Sequence, residues 1–155
     1  MPPFQGGLLH IRVLKLGKPK DPFSILAQNY KKRCQAFIPC EEYLFKDLEA
    51  FQRRQHLEKW LQVGSLPIVL KEGGKQYSSK ELSQWLESCL LEKQYKGLHF
   101  LIGGPYGLGE KIPQKASMGL SLSKGTLPSD LAWCVLWEQL YRALSILNKS
   151  PYHHG

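Results

Sequence analysis

The stretch LHFLIGGPYGLG, residues 98–109, contains the two features from which the fold class is inferred. Its first five residues are almost entirely apolar, which is typical of a central strand in a parallel sheet with both faces buried. The rest is a loop with four glycines in seven residues, where the backbone can approach another surface closely because glycine has no Cβ. A buried strand followed by such a loop predicts a site at the carboxyl end of a sheet.

Apolar and turn patterns on either side of this stretch predict alternating strands and helices. The predicted strands cover residues 8–16, 36–38, 66–70, 98–102 and 119–122, and the predicted helices cover residues 22–35, 41–62, 78–90 and 129–148. Ser78 and Glu81 form a capping-box pattern, Ser129 is a candidate N-cap, and Gly73-Gly74 predicts a turn. This alternation predicts an α/β fold with a mostly parallel sheet, in one domain over residues 1–155.

The charge of the chain favours an anionic partner, with nucleic acid first. The 155 residues include 21 Lys and Arg against 13 Asp and Glu, which gives a net charge of +8. The first 35 residues alone hold seven basic residues and one acid. A solvated basic face is the simpler interpretation of the same excess.

The four cysteines, at positions 34, 40, 89 and 134, have no metal-ligand spacing, so a zinc site is not expected. The opening residues Met-Pro-Pro-Phe lack a signal-peptide pattern, and no apolar run reaches the length of a membrane span. We therefore expect a reduced, cytoplasmic protein with free and mostly buried thiols.

Three segments follow predicted strand ends: residues 70–74, 103–109 and 122–128. The glycine loop is not a P-loop, because Glu110 stands where that motif needs Lys, and its spacing differs from the dinucleotide-binding fingerprint. It is either a tight structural turn or a ligand loop. The third segment is either a helix entry or a cradle for an adenosine, formed by Thr126 and backbone amides.

The last helix and the tail carry further candidates, each with a structural alternative. Arg142 has Glu138 four residues earlier as a structural partner and an RNA phosphate as a functional one. Trp137 and Tyr141 are spaced for core or interface packing. His153 is a candidate for contact with an acidic base proton or with phosphate, although terminal residues are often frayed.

Four motifs together resemble one family. They are IGGPYGLG at 102–109, LSLSKGTLP at 120–128, EQLYRA at 138–143 and PYH at 151–153. In this order and this near the chain end, they resemble the RlmH family, small SPOUT-class methyltransferases that modify N3 of a pseudouridine in 23S ribosomal RNA. The resemblance implies a mostly parallel sheet flanked by helices with a C-terminal trefoil knot. It also implies S-adenosyl-L-methionine as cofactor, the ribosome as the place of action, and a homodimer whose partner chain completes the site.

The resemblance also assigns residues. The cofactor contacts carried over are Leu70, Gly103, Leu122, Ser123, Lys124, Gly125, Thr126 and Leu127. On the acceptor side, His153 or a nearby water is the candidate proton acceptor, and Arg142 and Tyr152 are candidates for holding phosphate and base. The basic first third of the chain is the expected RNA footprint.

The chain departs from the family pattern at three positions. Ser129 stands where the family usually has His, Trp133 where it has Arg, and Tyr106 where it often has Glu or Asn. All three are expected near the RNA face. The alternative function is a ribosome- or RNA-binding protein that retained the fold without turnover.

Overall fold

The computed structural model describes residues 9–155, in which five parallel strands form one sheet with the order β2-β1-β4-β3-β5. The strands are β1 (His10–Leu16), β2 (Cys40–Phe45), β3 (Ser65–Gln76), β4 (Gly97–Ile102) and β5 (Met118–Ser121). The helices are α1 (Phe23–Cys34), α2 (Leu48–Phe51), α3 (Arg54–Trp60), α4 (Ser79–Glu92), α5 (Lys111–Gln114) and α6 (Ser129–Leu147). The predicted α/β class with a parallel sheet is confirmed.

Strand β4 lies at the centre of the sheet, and all six of its residues are buried. Its side chains alternate between two apolar clusters, so that Phe100 packs with residues of α1, α4 and α6, and Leu101 packs with residues of α2, α3 and α5. A strand covered on both faces has no solvated side, which explains the continuous apolar run in its sequence.

Strand β2 and the helices after it correct two predictions. Residues 36–38 are not a strand, and the predicted helix over 41–62 is instead β2 followed by the short helices α2 and α3. Spacing of Leu44, Leu48 and Phe51 resembles a helical stripe, but Cys40–Phe45 pairs along its whole length with β1. Tertiary pairing therefore overrides a weak local pattern. Two residues after the end of β2, Asp47 caps α2 by accepting a hydrogen bond from the Ala50 amide.

The predicted turn at Gly73-Gly74 lies inside strand β3, which bulges between Leu70 and Lys75 where it pairs with β5. A Cβ at Gly74 would lie 2.7 Å from the backbone carbon of Gly119. This distance is shorter than any real Cβ contact, so glycine is required where the two strands meet. The bulge moves residues 71–74 out of the ladder at the carboxyl end of the sheet.

Helix α6 packs against α1 and α4 on one face of the sheet. It begins at Ser129 as predicted, but its N-cap is Pro128 and no side chain caps it. The predicted capping box of Ser78 and Glu81 is present at α4. The knot implied by the resemblance and the single domain over 1–155 stay predictions, and residue 8, the predicted start of the first strand, lies outside the described residues.

All four cysteines are free thiols, and three of them are buried. Burial, followed by the negative charge of Glu92, raises the pKa of Cys89 to about 11. Among residues 9–155, no helix combines the length and the apolar composition needed to cross a membrane.

Candidate functional site

One cavity of about 430 Å³ opens where β3, β4 and β5 end. It is lined by all three segments that follow the predicted strand ends. Six of the eight residues assigned to cofactor binding are among its lining residues: Leu70, Gly103, Leu122, Ser123, Gly125 and Leu127. The volume lies within the range of about 300–1,000 Å³ that is usual for small-molecule sites.

The other two assigned residues lie at the edge of this cavity. The Thr126 hydroxyl donates a 2.7 Å hydrogen bond to Glu72 Oε1, and Glu72 lines the cavity from the β3 bulge. Lys124 lines an adjoining polar groove with Gln76 and Ser78. The hydrogen bond between Thr126 and Glu72 therefore connects the 122–128 loop with β3 across the rim.

The glycine loop forms the tight turn that was one of its two alternatives, and it also lines the cavity. Gly104 and Gly107 form an antiparallel bridge, and Gly107, with a φ of +74°, closes a tight turn. The same loop lines the cavity through Gly103, Gly104 and Gly109. A Cβ at Gly103 would lie 3.1 Å from Leu108 Cγ, so a side chain at this position would crowd Leu108 in the cavity wall.

A buried lysine lies beneath this loop. Lys15 Nζ forms a 2.8 Å ion pair with Asp130 and donates to the carbonyls of Leu16 and Gly17. It also lies 3.3 Å from the hydroxyl of Ser129, which donates a 2.6 Å hydrogen bond to the Gly103 carbonyl. Burial raises the pKa of Asp130, but hydrogen bonds from Lys15 and Lys20 outweigh it and hold that pKa below its usual range.

The three residues assigned to the acceptor side lie together, but not at the cavity. Arg142 Nε donates to Glu138 Oε1 at 2.7 Å, and Arg142 Nη1 lies 3.0 Å from His153 Nδ1. The Arg142 guanidinium also lies 4.8 Å from the centre of the Tyr152 ring. At about 1.5 Å of rise per residue, α6 separates Arg142 from Ser129 by about 20 Å along its axis. The structural partner foreseen for Arg142 is therefore present.

Tyr152 keeps its phenolic proton at neutral pH. Burial, a hydrogen bond with Tyr30 and the negative charge of Glu138 raise the pKa of Tyr152 to about 12. Its ring packs edge-on against Tyr141 with centroids 4.6 Å apart. Aromatic contacts thus pack the tail against α6. The tail and the helix together form a surface suited to another chain or to a ligand.

Comparisons with known proteins assign the chain to a family. A family model described as predicted SPOUT methyltransferase matches residues 9–153. The chain belongs to the SPOUT methyltransferase family. The ribosomal RNA large subunit methyltransferase H of Maridesulfovibrio salexigens is 40% identical over 148 residues, which cover 90% of this chain and 94% of that protein. The protein of the same name from Parabacteroides distasonis is 36% identical over 157 residues, covering 94% and 99%. The resemblance to the RlmH family is thereby confirmed.

A solved structure shares the fold of this chain. The crystal structure of a probable methyltransferase from Bordetella pertussis Tohama I matches 91% of this chain and 98% of its own, with a TM-score of 0.59 and 11% identity. At this identity the likeness concerns the fold alone.

The structure places the three departures from the RlmH pattern in different surroundings. Ser129 lines the cavity and is bonded to Gly103. Trp133 is fully buried, and its indole nitrogen donates to Glu42. Burial makes Trp133 unavailable to RNA, whereas Ser129 belongs to the cavity wall. Tyr106 is 100% exposed at the tip of the glycine loop, and its contact with RNA stays a prediction.

Fewer basic residues are available for the expected RNA footprint than the sequence alone indicates. Arg12 and Lys15 are buried in internal ion pairs with Glu41 and Asp130, so they are not available to phosphate. Residues 9–155 contain no group of three or more His, Cys, Asp or Glu side chains placed to hold a metal ion.

Sequence reasoning missed Lys15, Asp130 and Glu72 as parts of this site. The position of Lys15 between apolar residues near the end of a buried strand is a signal that could have identified it, because a buried charge needs a partner. Glu72 gave no such signal, since it lies in a polar turn-like segment whose contact with Thr126 depends on the bulge in β3.

Proposed function

We propose that this protein is an S-adenosyl-L-methionine-dependent methyltransferase that modifies N3 of a pseudouridine in 23S ribosomal RNA. The observation that carries the proposal is the convergence of three strand-end segments on one cavity in a member of the SPOUT family. The names of the relatives, ribosomal RNA large subunit methyltransferase H, supply the class of substrate. On this proposal the protein works on the ribosome in the cytoplasm.

The cavity suits a nucleoside-containing cofactor. Its walls combine apolar side chains such as Leu70 and Leu122 with loop backbone around Gly103 and Gly125, whose amides and carbonyls can pair with a purine edge. The holding residues are those assigned from the resemblance, with Glu72 in addition. When bound, the cofactor would supply a methyl group on a positively charged sulfur; a nitrogen nucleophile takes this methyl group as the C–S bond breaks and the sulfur leaves uncharged.

The chain's own contribution is positioning in a partly closed site. Aligning the nucleophile with the methyl group is the largest contribution such a site can make. Because charge is neutralised in the displacement, apolar walls favour the transition state. Leu70, Leu122 and Leu127 provide such walls.

The acceptor side comes from a second copy of the chain. Arg142, Tyr152 and His153 are absent from the lining of the cavity in residues 9–155, and they lie about 20 Å along α6 from Ser129. One chain therefore does not bring its own tail to its own cavity. A homodimer in which each tail reaches the partner's cavity unites both halves of the site.

Mixing two defective variants tests this arrangement. Gly103→Val fills the cavity wall and Arg142→Met removes the acceptor-side cation, so each is expected to lose turnover alone. In randomly mixed dimers about one quarter of the composite sites pair an intact cavity with an intact tail. Restoration of about that fraction of activity supports the dimer, whereas no restoration places the whole site within one chain.

The exposed basic residues near α1 form the proposed RNA footprint: Lys18, Lys20, Lys32 and Arg33. Phosphate contacts release counterions, so RNA affinity should fall steeply as salt is raised. Charge reversal at Lys32, far from the cavity lining, should weaken RNA binding without changing cofactor affinity.

Two measurements decide the proposed activity. Mass spectrometry of ribosomal RNA nucleosides from cells lacking the protein should show loss of a methylated pseudouridine, and the restored chain should return it. A methyl-transfer assay on intact ribosomes then separates an enzyme from a binding protein. The non-enzymatic alternative would be supported by RNA binding without any methyl transfer.

A further inference from the structure

Two side chains of α6 and two of the tail that follows it form a network of contacts. Glu138 Oε1 accepts from Arg142 Nε at 2.7 Å, and this ion pair is largely buried, with side-chain exposures of 19% and 26%. Arg142 Nη1 then lies 3.0 Å from Nδ1 of His153. The Tyr152 ring packs on the guanidinium with 4.8 Å between Arg142 Cζ and the ring centre. The Glu138 carboxylate and the Tyr152 ring thus hold the Arg142 guanidinium in place, and the guanidinium in turn contacts the His153 imidazole.

The contact between Arg142 and His153 determines where the imidazole carries its proton. A guanidinium has only N–H donors and no acceptor, so Nδ1 of His153 has to accept through its lone pair. A ring with a proton on Nδ1 would direct that N–H at another N–H, and no hydrogen bond would form. The neutral ring therefore carries its proton on Nε2.

We infer that Arg142 is a positioning residue that holds His153 in the Nε2–H form, so that His153 donates a hydrogen bond to the target base and does not accept its proton. The inference rests on the proposed function and refines one of its roles. A carboxylate at Nδ1 would select the opposite form and leave Nε2 free to act as a base. The cation at this position excludes that use of the ring.

A donor is useful to this reaction because N3 of a pseudouridine lies between two carbonyl groups. When the N3–H bond breaks, its electron pair stays on the ring and spreads onto the two carbonyl oxygens, and the proton passes to solvent water. A hydrogen bond from Nε2 of His153 to one of these oxygens strengthens as the negative charge develops. His153 then favours loss of the proton without receiving it.

A matched pair of amide variants separates a donor from a base. In His153→Gln the side-chain amide N–H₂ lies near the position of Nε2, so it can replace the donor. In His153→Asn the amide reaches only the position of Nδ1, so it can meet Arg142 but not the substrate. An amide takes no proton at neutral pH, so neither variant replaces a base.

We expect kcat of His153→Gln to stay within about tenfold of the wild type, because one hydrogen bond is weakened. We expect kcat of His153→Asn to fall on the order of a hundredfold, because the donor to the developing oxyanion is lost. Cofactor affinity, measured by calorimetry, should be unchanged in both. Equal loss of kcat in the two variants would overturn the donor role.

Nitrogen NMR of the histidine-labelled protein tests the tautomer without any assay of activity. The His153 signals, assigned by their absence in His153→Gln, should show Nε2–H alone in the wild type. In Arg142→Met they should relax to the mixture of tautomers of a free imidazole. A dominant Nδ1–H form in the wild type would contradict the inference. Absence of methyl transfer by the wild type would instead defeat the proposed function and leave the tautomer result standing.

Discussion

Lys15 Nζ lies 2.8 Å from Asp130 Oδ1, and only 1% of the Lys15 side chain is exposed. This pair connects the end of the first strand to the start of the last helix, directly beneath the loop that carries Gly103. Removing one partner of a buried pair leaves a charge without compensation. Lys15→Met should therefore lower the free energy of unfolding by about 3–5 kcal/mol, measured by chemical denaturation.

The double variant Lys15→Met, Asp130→Asn is the control, because it removes both charges and should recover part of the loss. Arg54→Ala gives a second control, since the Arg54–Glu58 pair is 92% and 64% exposed and its removal should leave stability essentially unchanged. A double variant no more stable than Lys15→Met would argue that packing, and not charge pairing, dominates at this position.

We predict that His99 makes the free energy of unfolding depend on pH. The ring is fully buried, and burial followed by the positive charge of Arg12 lowers the pKa of His99 to about 4. In the unfolded chain this pKa is about 6.5, so only the unfolded state binds the proton between these values. Stability is therefore full above pH 6.5 and falls by about 3 kcal/mol as pH is lowered to 4.

Urea unfolding at a series of pH values between 8 and 4.5 measures this effect. Burial also lowers the pKa of His10, whose Nε2 lies 2.8 Å from that of His99, so it adds to the slope. His99→Gln should be less stable at pH 8 but should lose less stability on acidification. Parallel curves for the two proteins would rule out His99 as the group responsible.

The hydrogen bond between Thr126 and Glu72 predicts an effect on cofactor affinity. Both side chains are exposed at the rim of the cavity, and their contact holds the 122–128 loop against β3. Thr126→Val keeps the shape and removes the donor, so it should weaken S-adenosyl-L-methionine binding by about three- to fivefold, the value of one ordinary hydrogen bond. Thr126→Ser retains the hydroxyl and should bind normally, and calorimetry that finds the two variants equal would refute the role of the bond.

We predict that substitution of Tyr106 changes RNA affinity alone. It is fully exposed at the tip of the glycine loop, and an exposed aromatic ring can stack on an unpaired base. Tyr106→Ala should reduce ribosomal RNA affinity by about tenfold and leave cofactor affinity and melting temperature unchanged. Tyr106→Phe keeps the stacking face and should bind RNA like the wild type; a loss as large as that of Tyr106→Ala would assign the effect to the hydroxyl group.

The sequence was sufficient where local pattern and final environment agree. The continuous apolar run of β4 and the capping box at Ser78 are each explained by one local cause, and both were predicted correctly. Strand β2 was missed because its pairing with β1 is decided by residues distant in sequence. Glu41 and Glu42 look like exposed helix residues in isolation, yet Glu41 pairs with Arg12 and Glu42 accepts from two buried indoles.

Some parts of the candidate site could likewise be predicted from the sequence, and others could not. Backbone segments at strand ends were located from glycines and from motif order, because these depend on chain geometry. Pairs of partners depend on where separate segments of the chain meet, as for Lys15 with Asp130 and Arg142 with His153. Only a resemblance to a known family or a structure shows which segments meet.

Helix α6 carries Ser129 at one end and Arg142 in its final turns without interruption. Adding or deleting one residue between them would rotate one end against the other by about 100° and change their separation by about 1.5 Å. On the proposed function the two ends serve different reaction partners, so such a change should disturb both at once. We conclude that the length of this helix is a fixed dimension of the enzyme, and that natural variation in chain length should accumulate in the surface loops and not between these two residues.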